Sequence, residues 1–144
     1  MRIPTKVQYG LRAMVELAMA PWGECIPLSN IADHQGISLS YLEQAFSVLR
    51  KSGLVRSEKG AQGGYSLARK PNQITVGRIL RELDGELSIS GSVVLDHGSD
   101  KLLQDIVWDK VDQKINSVVE TITLEDLVYE YYRSQGNTYY MAYI

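Results

Sequence analysis

The chain has 144 residues, 44% of them hydrophobic, and one cysteine, which fits one domain or a domain with an appendage around a modest core. A single thiol excludes an intrachain disulfide framework and a multi-cysteine zinc site, and suits a reducing compartment. No run approaches the roughly 18 apolar residues of a membrane span and no signal-peptide pattern opens the chain, so no membrane partner is expected. The net charge of −2 is unevenly spread: residues 1–70 hold nine Lys/Arg against five Asp/Glu, and residues 71–144 hold six against twelve. Only the first half is expected to face phosphates.

In chain order, Thr5 to Ala20 reads as a helix with Val7, Leu11, Met14, Val15 and Ala18 at core spacing. Arg2, Thr5 and Lys6 lie before it or in its first turn, where backbone N–H groups and a basic side chain can hold a phosphate; N-capping by Thr5 is a second, compatible use. Pro21 to Cys25 is a connecting loop. Cys25 reads either as a small buried hydrophobe or as a redox sensor whose sulfenylation would move the unit that follows. Both readings stand at this point.

That unit runs from Ile26 to Leu67. A short helix with Leu28, Ile31 and Ala32 on one face is followed by a turn at Gln35-Gly36-Ile37-Ser38, where Gly36 is free to take positive φ. A second helix begins near Ser38, with Ser40 and Glu43 at capping-box spacing. Leu42, Ala45, Phe46, Val48 and Leu49 form its buried stripe, leaving Ser40, Tyr41, Gln44, Ser47, Arg50 and Lys51 outside. An outward row of short polar, amide and basic side chains suits a helix lying in the DNA major groove. Gly53 ends it, and alternating strands follow at Leu54–Ser57 and Tyr65–Leu67. Three glycines in the five residues 60–64 would weaken a merely structural hairpin, and suit a wing tip whose Lys59, Gly60, Gln62 and Gly63 approach a groove. The fold class expected is mainly α, a winged helix-turn-helix with a two-stranded wing and a long C-terminal dimerisation helix.

Gln35 to Ser38, Tyr41 to Gln44, Leu49 to Val55 and Gly60 to Tyr65 together resemble the IscR/CymR-type bacterial repressors. Met1-Arg2-Ile3, Thr5-Lys6 and Tyr9 to Met14 are similar to that family's first helix, and Thr121 to Leu127 to a later one, so the resemblance spans nearly the whole chain. It implies a homodimeric regulator of the bacterial cytoplasm that binds double-stranded DNA. It also implies that the start of the first helix lies against the DNA backbone.

Beyond the wing, Val76 to Leu83 reads as a helix capped by Thr75 and closes a DNA-binding domain over residues 1–83. In cluster-binding members of that family the next loop carries three cysteines for an iron–sulfur cluster; here residues 84–98 hold none, and His97 reads as a loop residue. No metal and no cofactor are expected. Residues 99–122 form an amphipathic helix with Leu102, Leu103, Ile106, Val107, Val111, Ile115 and Val118 at intervals of three and four, and a second copy is the simplest partner for that face. Residues 123–144 hold a capped helix, with Leu127, Val128 and Tyr131 facing inward, and an aromatic tail. The tail ends in Tyr143-Ile144, as in the CymR-like branch, which resembles cysteine-metabolism repressors that act with O-acetylserine thiol-lyase (cysteine synthase). The resemblance implies capture of Ile144 in that enzyme's active site; docking of the tail on the dimer is the alternative.

No nucleophile–base pair, clustered metal ligands or P-loop spacing supports an enzyme. A DNA-binding repressor controlling cysteine or sulfur metabolism through a protein partner or thiol state accounts for the most features. A repressor of the same fold sensing redox or a small ligand, with another regulon, and an interaction module that has lost DNA binding are the alternatives.

Overall fold

Helix α3 (Leu39–Lys51) buries Leu42, Ala45, Phe46 and Leu49, and these join one cluster with Ala13, Met14 and Leu17 of α1 (Thr5–Met19) and Ile31 and Ala32 of α2 (Leu28–Gln35). The computed structural model describes residues 3–85, 87–89 and 96–136. Arg2, Tyr143 and Ile144 lie outside these residues. Gly36 takes φ +65° at the end of α2, and the Ile37 amide donates to the Ala32 carbonyl at 3.0 Å, so the chain reverses within one left-handed residue.

The wing is an antiparallel pair, β1 (Val55–Glu58) and β2 (Gly64–Leu67), with Val55 opposite Leu67 and Glu58 opposite Gly64. Ile26 adds a third element: its amide donates to the Tyr65 carbonyl at 2.8 Å and its carbonyl accepts from the Tyr65 amide at 2.9 Å. The Tyr65 ring stands edge-on to Phe46, centroids 5.1 Å apart. One residue thus ties the wing to the entry of α2 and to the core of α3.

A 3-10 turn (Pro71–Gln73) leads to α4 (Val76–Asp84), whose first turn is capped by Thr75 Oγ1 accepting from the Arg78 amide. Residues 98–121 form one long helical segment: α5 (Gly98–Leu103), a π turn (Gln104–Trp108) and α6 (Asp109–Thr121). The apolar spacing predicts this helix but not the π turn, which widens one turn and rotates the residues after it relative to those before. The C-terminal end of α6 is seated on α4 through the Arg81–Glu120 ion pair and Val119 against Val76 and Leu80. The backbone bridges back here as well, from Val76 N to Ile122 O at 2.8 Å and from Leu124 N to Ile74 O at 3.0 Å. A capping box of Thr123 and Asp126 opens α7 (Leu124–Ser134), whose Leu124 and Val128 complete the main cluster. No helix among the described residues is long and apolar enough to cross a membrane.

Three expectations are corrected. Val48 is 40% exposed rather than core, because the buried stripe of α3 is narrower than the run of apolar residues in its sequence. Tyr131 is 45% exposed, stacked edge-on to Tyr132, while Val128 takes the inward position one turn earlier. Thr5 is the first helical residue and not the cap; Pro4 stands at the N-cap, without a side-chain bond, and fixes the entry by its own φ.

Phe46→Ala is expected to cost about 3–5 kcal/mol, and Val48→Ala no more than about 0.5 kcal/mol, in denaturant unfolding at one fixed protein concentration. Equal costs would place Val48 back in the core.

Candidate nucleic-acid interface

Once the apolar stripe of α3 is buried, its opposite face is set. Ser40, Gln44, Arg50 and Lys51 are exposed and Ser47 is half-exposed, and none of these five makes an intrachain side-chain hydrogen bond or ion pair among the described residues. The helix start differs from the capping-box expectation: Ser38 is the N-cap, its Oγ accepting from the Tyr41 amide at 3.3 Å, and Ser40 lies inside the helix with its hydroxyl uncommitted. Two serines at this spacing are ambiguous in sequence; burial of Ile37 fixes the register in favour of the first.

Tyr41, expected outside, is half-buried, edge-on to Tyr9 at 6.1 Å. Burial first, and the charge of Asp84 second, push its phenol above the usual tyrosine pKa, so it stays a neutral hydroxyl donor and acceptor.

The cations of the first half share a pattern. Lys6, Arg50, Lys51, Arg56, Lys59, Arg69 and Lys70 are all exposed and, among the described residues, without a carboxylate partner. In the second half four of the six, Arg78, Arg81, Lys101 and Arg133, are paired, while Lys110 and Lys114 are exposed without a carboxylate partner among the described residues. Arg56 on β1 and Arg69-Lys70 after β2 are additions to the residues singled out from sequence; basic residues beside predicted strands were the only available signal. Lys6 lies with Thr5 in the exposed first turn of α1.

Lys59, Gly60 and Gln62 are exposed at the wing tip. The glycines there have an internal explanation besides approach to a groove. A Cβ on Gly64 would lie 2.5 Å from the Ile26 carbonyl, and one on Gly63 would collide with the Glu58 carbonyl oxygen. The hairpin itself therefore requires them.

A polar strap between α1 and α2, separated by 18 to 23 residues in sequence, was invisible to local pattern. Arg12 donates to the Gln35 carbonyl at 2.9 Å and to its side-chain oxygen. Gln35 in turn donates to Glu16 at 2.8 Å, and Glu16 meets His34 Nδ1 at 2.6 Å. The strap secures the last turn of α2, and hence the turn that aims α3. Cys25 is half-buried, next to the Ile26 bridge. On the long helical segment Leu102, Leu103, Ile106 and Val118 are 63, 43, 54 and 55% exposed, while Val107, Val111 and Ile115 are half-buried.

Residues 3–130 match the Rrf2 family, described as iron-dependent transcriptional regulators. The chain is 38% identical over 130 residues to the HTH-type transcriptional regulator IscR of Pectobacterium carotovorum, covering 89% of this chain and 79% of that protein. Among solved structures it is similar to CymR (YrzC), the global cysteine regulator of B. subtilis, with TM-score 0.78, 39% identity, and 89% and 96% of the two chains covered. It is also similar to IscR of T. potens, with TM-score 0.77, 43% identity, and 94% and 91% covered.

Ser38→Ala is expected to destabilise the fold by about 1 kcal/mol through loss of the cap, and Ser40→Ala by less than about 0.5 kcal/mol. Thermal unfolding of the two variants side by side reads the difference, and reversed magnitudes would restore the Ser40 cap.

Proposed function

The chain belongs to the Rrf2 family of transcriptional regulators, a family of regulators and not of enzymes, and from that premise we propose that it is a sequence-specific DNA-binding repressor acting as a homodimer on a palindromic operator. The observation that carries the reading is the coincidence of two features within residues 1–70: the uncommitted polar face of α3, and a set of exposed cations without carboxylate partners among the described residues. Ser38, Ser40, Tyr41 and Gln44 are assigned to base edges and nearby phosphates, and Arg50 and Lys51 to the backbone. Lys59, Gly60, Gln62 and Gly63 are assigned to the adjacent minor groove, and Arg2, Thr5 and Lys6 to a phosphate at the start of α1.

Exposure of Leu102, Leu103, Ile106 and Val118 along one helix supports a second copy as the cover for that face, with Val107, Val111 and Ile115 at its margin. A two-fold dimer would set two α3 helices in successive major grooves.

The donor set of this chain does not fit an iron–sulfur cluster. Its one thiol, Cys25, precedes α2, and residues 84–98 supply none. Control of cysteine or sulfur metabolism is the regulon we favour, supported by the missing cluster ligands and by similarity to the B. subtilis global cysteine regulator, at an identity close to that shared with IscR of T. potens. Its signal would enter through O-acetylserine thiol-lyase at Tyr143 and Ile144, or through the thiol state of Cys25.

Fluorescence anisotropy on a cysteine-pathway promoter is expected to give an affinity that falls steeply with salt, as phosphate contacts release counterions. Gln44→Ala should lose about 1–3 kcal/mol and relax preference at one base pair, whereas Lys51→Ala should weaken all sequences alike and lower the salt slope by about 1 per site. A shallow salt dependence would favour an interaction module without DNA binding.

In the same titration, added thiol-lyase is expected to tighten binding by the full chain and not by a chain lacking Tyr143 and Ile144. No effect of the enzyme on either chain would move the signal to Cys25 or a small ligand.

A further inference from the structure

Leu39 is the first residue of α3 and is 41% exposed. It belongs to neither apolar cluster, nor to the half-buried residues packed against them. It continues the apolar row of Leu42, Phe46 and Leu49, but at the helix end it stays outside the core those three join. Ser38 already caps the helix, and Ile37, 5% exposed, already anchors the turn to the core. Of its neighbours along the helix, Ser38, Ser40 and Glu43 are polar and exposed, while Leu42, three residues on, is buried. A large apolar side chain is therefore left partly in water at the end of the helix that a helix-turn-helix turns toward base edges. Every functional group on the floor of the major groove is a hydrogen-bonding atom except one, the 5-methyl of thymine.

We propose that Leu39 is a specificity residue that packs on a thymine 5-methyl group in the major groove, a reading that rests on the DNA-binding function proposed above and adds a base to it. The contact covers apolar surface on both partners and selects thymine over cytosine, which offers an amino donor and no methyl at that edge. Val48 is the natural comparison. It is also apolar, α-helical and 40% exposed, but nine residues on it lies half a turn round the helix, toward the C-terminal end.

The test uses the full chain and a duplex selected by it from a random-sequence pool. Each thymine of that duplex is then replaced singly by deoxyuridine, which removes the methyl and leaves every hydrogen-bonding group. Wild-type affinity is expected to fall roughly fourfold at one thymine in each half-site. Leu39→Ala is expected to bind the thymine and deoxyuridine duplexes equally, and Val48→Ala to keep the wild-type ratio. The ratio is internal to each variant, so a partly unfolded preparation does not alter it. Sensitivity that persists in Leu39→Ala, sensitivity lost in Val48→Ala instead, or no sensitive thymine at all overturns the proposal while leaving DNA binding intact. Failure to select any duplex overturns the DNA-binding reading itself, and this inference with it.

Discussion

Burial of Leu42, Phe46 and Leu49 between α1 and α2 is the constraint on which the molecule turns. A helix has one rotation at which those three side chains leave water together, and burying each is worth about 1.5–3 kcal/mol before the entropy of ordering it is subtracted. No alternative rotation offers a comparable gain, so the polar residues interleaved with them have no choice of direction. The outward face of α3 is thus a by-product of core packing. A reading surface built this way is pre-organised: the side chains that would meet DNA are aimed before DNA arrives, and binding need not supply the cost of orienting the helix.

Two fastenings extend that rigidity beyond the core. Tyr65 joins the wing to α2 through the Ile26 backbone and to α3 through Phe46, so the wing cannot swing independently of the helix it flanks. The Arg12–Gln35–Glu16–His34 strap does the same for the far end of α2, with hydrogen bonds in place of apolar contact. Exposed bonds of this kind contribute only modestly to stability. Their value is geometric, because they fix the approach to a turn whose left-handed residue, Gly36, would otherwise tolerate several angles.

What the sequence disclosed follows from the range of the interactions involved. Helices, caps at Thr75 and Thr123, the turn at Gly36 and the two strands are local, and their residues lie within a few positions of one another. Val48 and Tyr131 depart from their expected burial because periodicity gives the direction of an apolar stripe but not its width, which depends on how closely the neighbouring helix approaches. The cap of α3 lies two residues before its expected place, because Ser38 and Ser40 both satisfy the local rule and only burial of Ile37 separates them. The strap and the internal demand for Gly63 and Gly64 were out of reach altogether, since their partners are distant or are backbone atoms with no signature. At the candidate site, residue type was legible and commitment was not. That Gln44 is unbonded while Gln35 is spent on Arg12 and Glu16 cannot be told from two glutamines in a string.

The same distinction governs charge. A net value of −2 and a pI near 5.7 describe a protein that phosphate should repel on average. At 0.15 M salt, however, charges more than about 8 Å apart are largely screened from one another. An approaching polyanion responds to the face it meets. In residues 1–70 seven cations stand exposed and without a carboxylate partner among the described residues, while in residues 71–144 the ion pairs of Arg78, Arg81, Lys101 and Arg133 leave the remaining carboxylates in excess. Where the charges lie along the chain, more than their sum, therefore sets what a polyanion would meet at α3 and the wing.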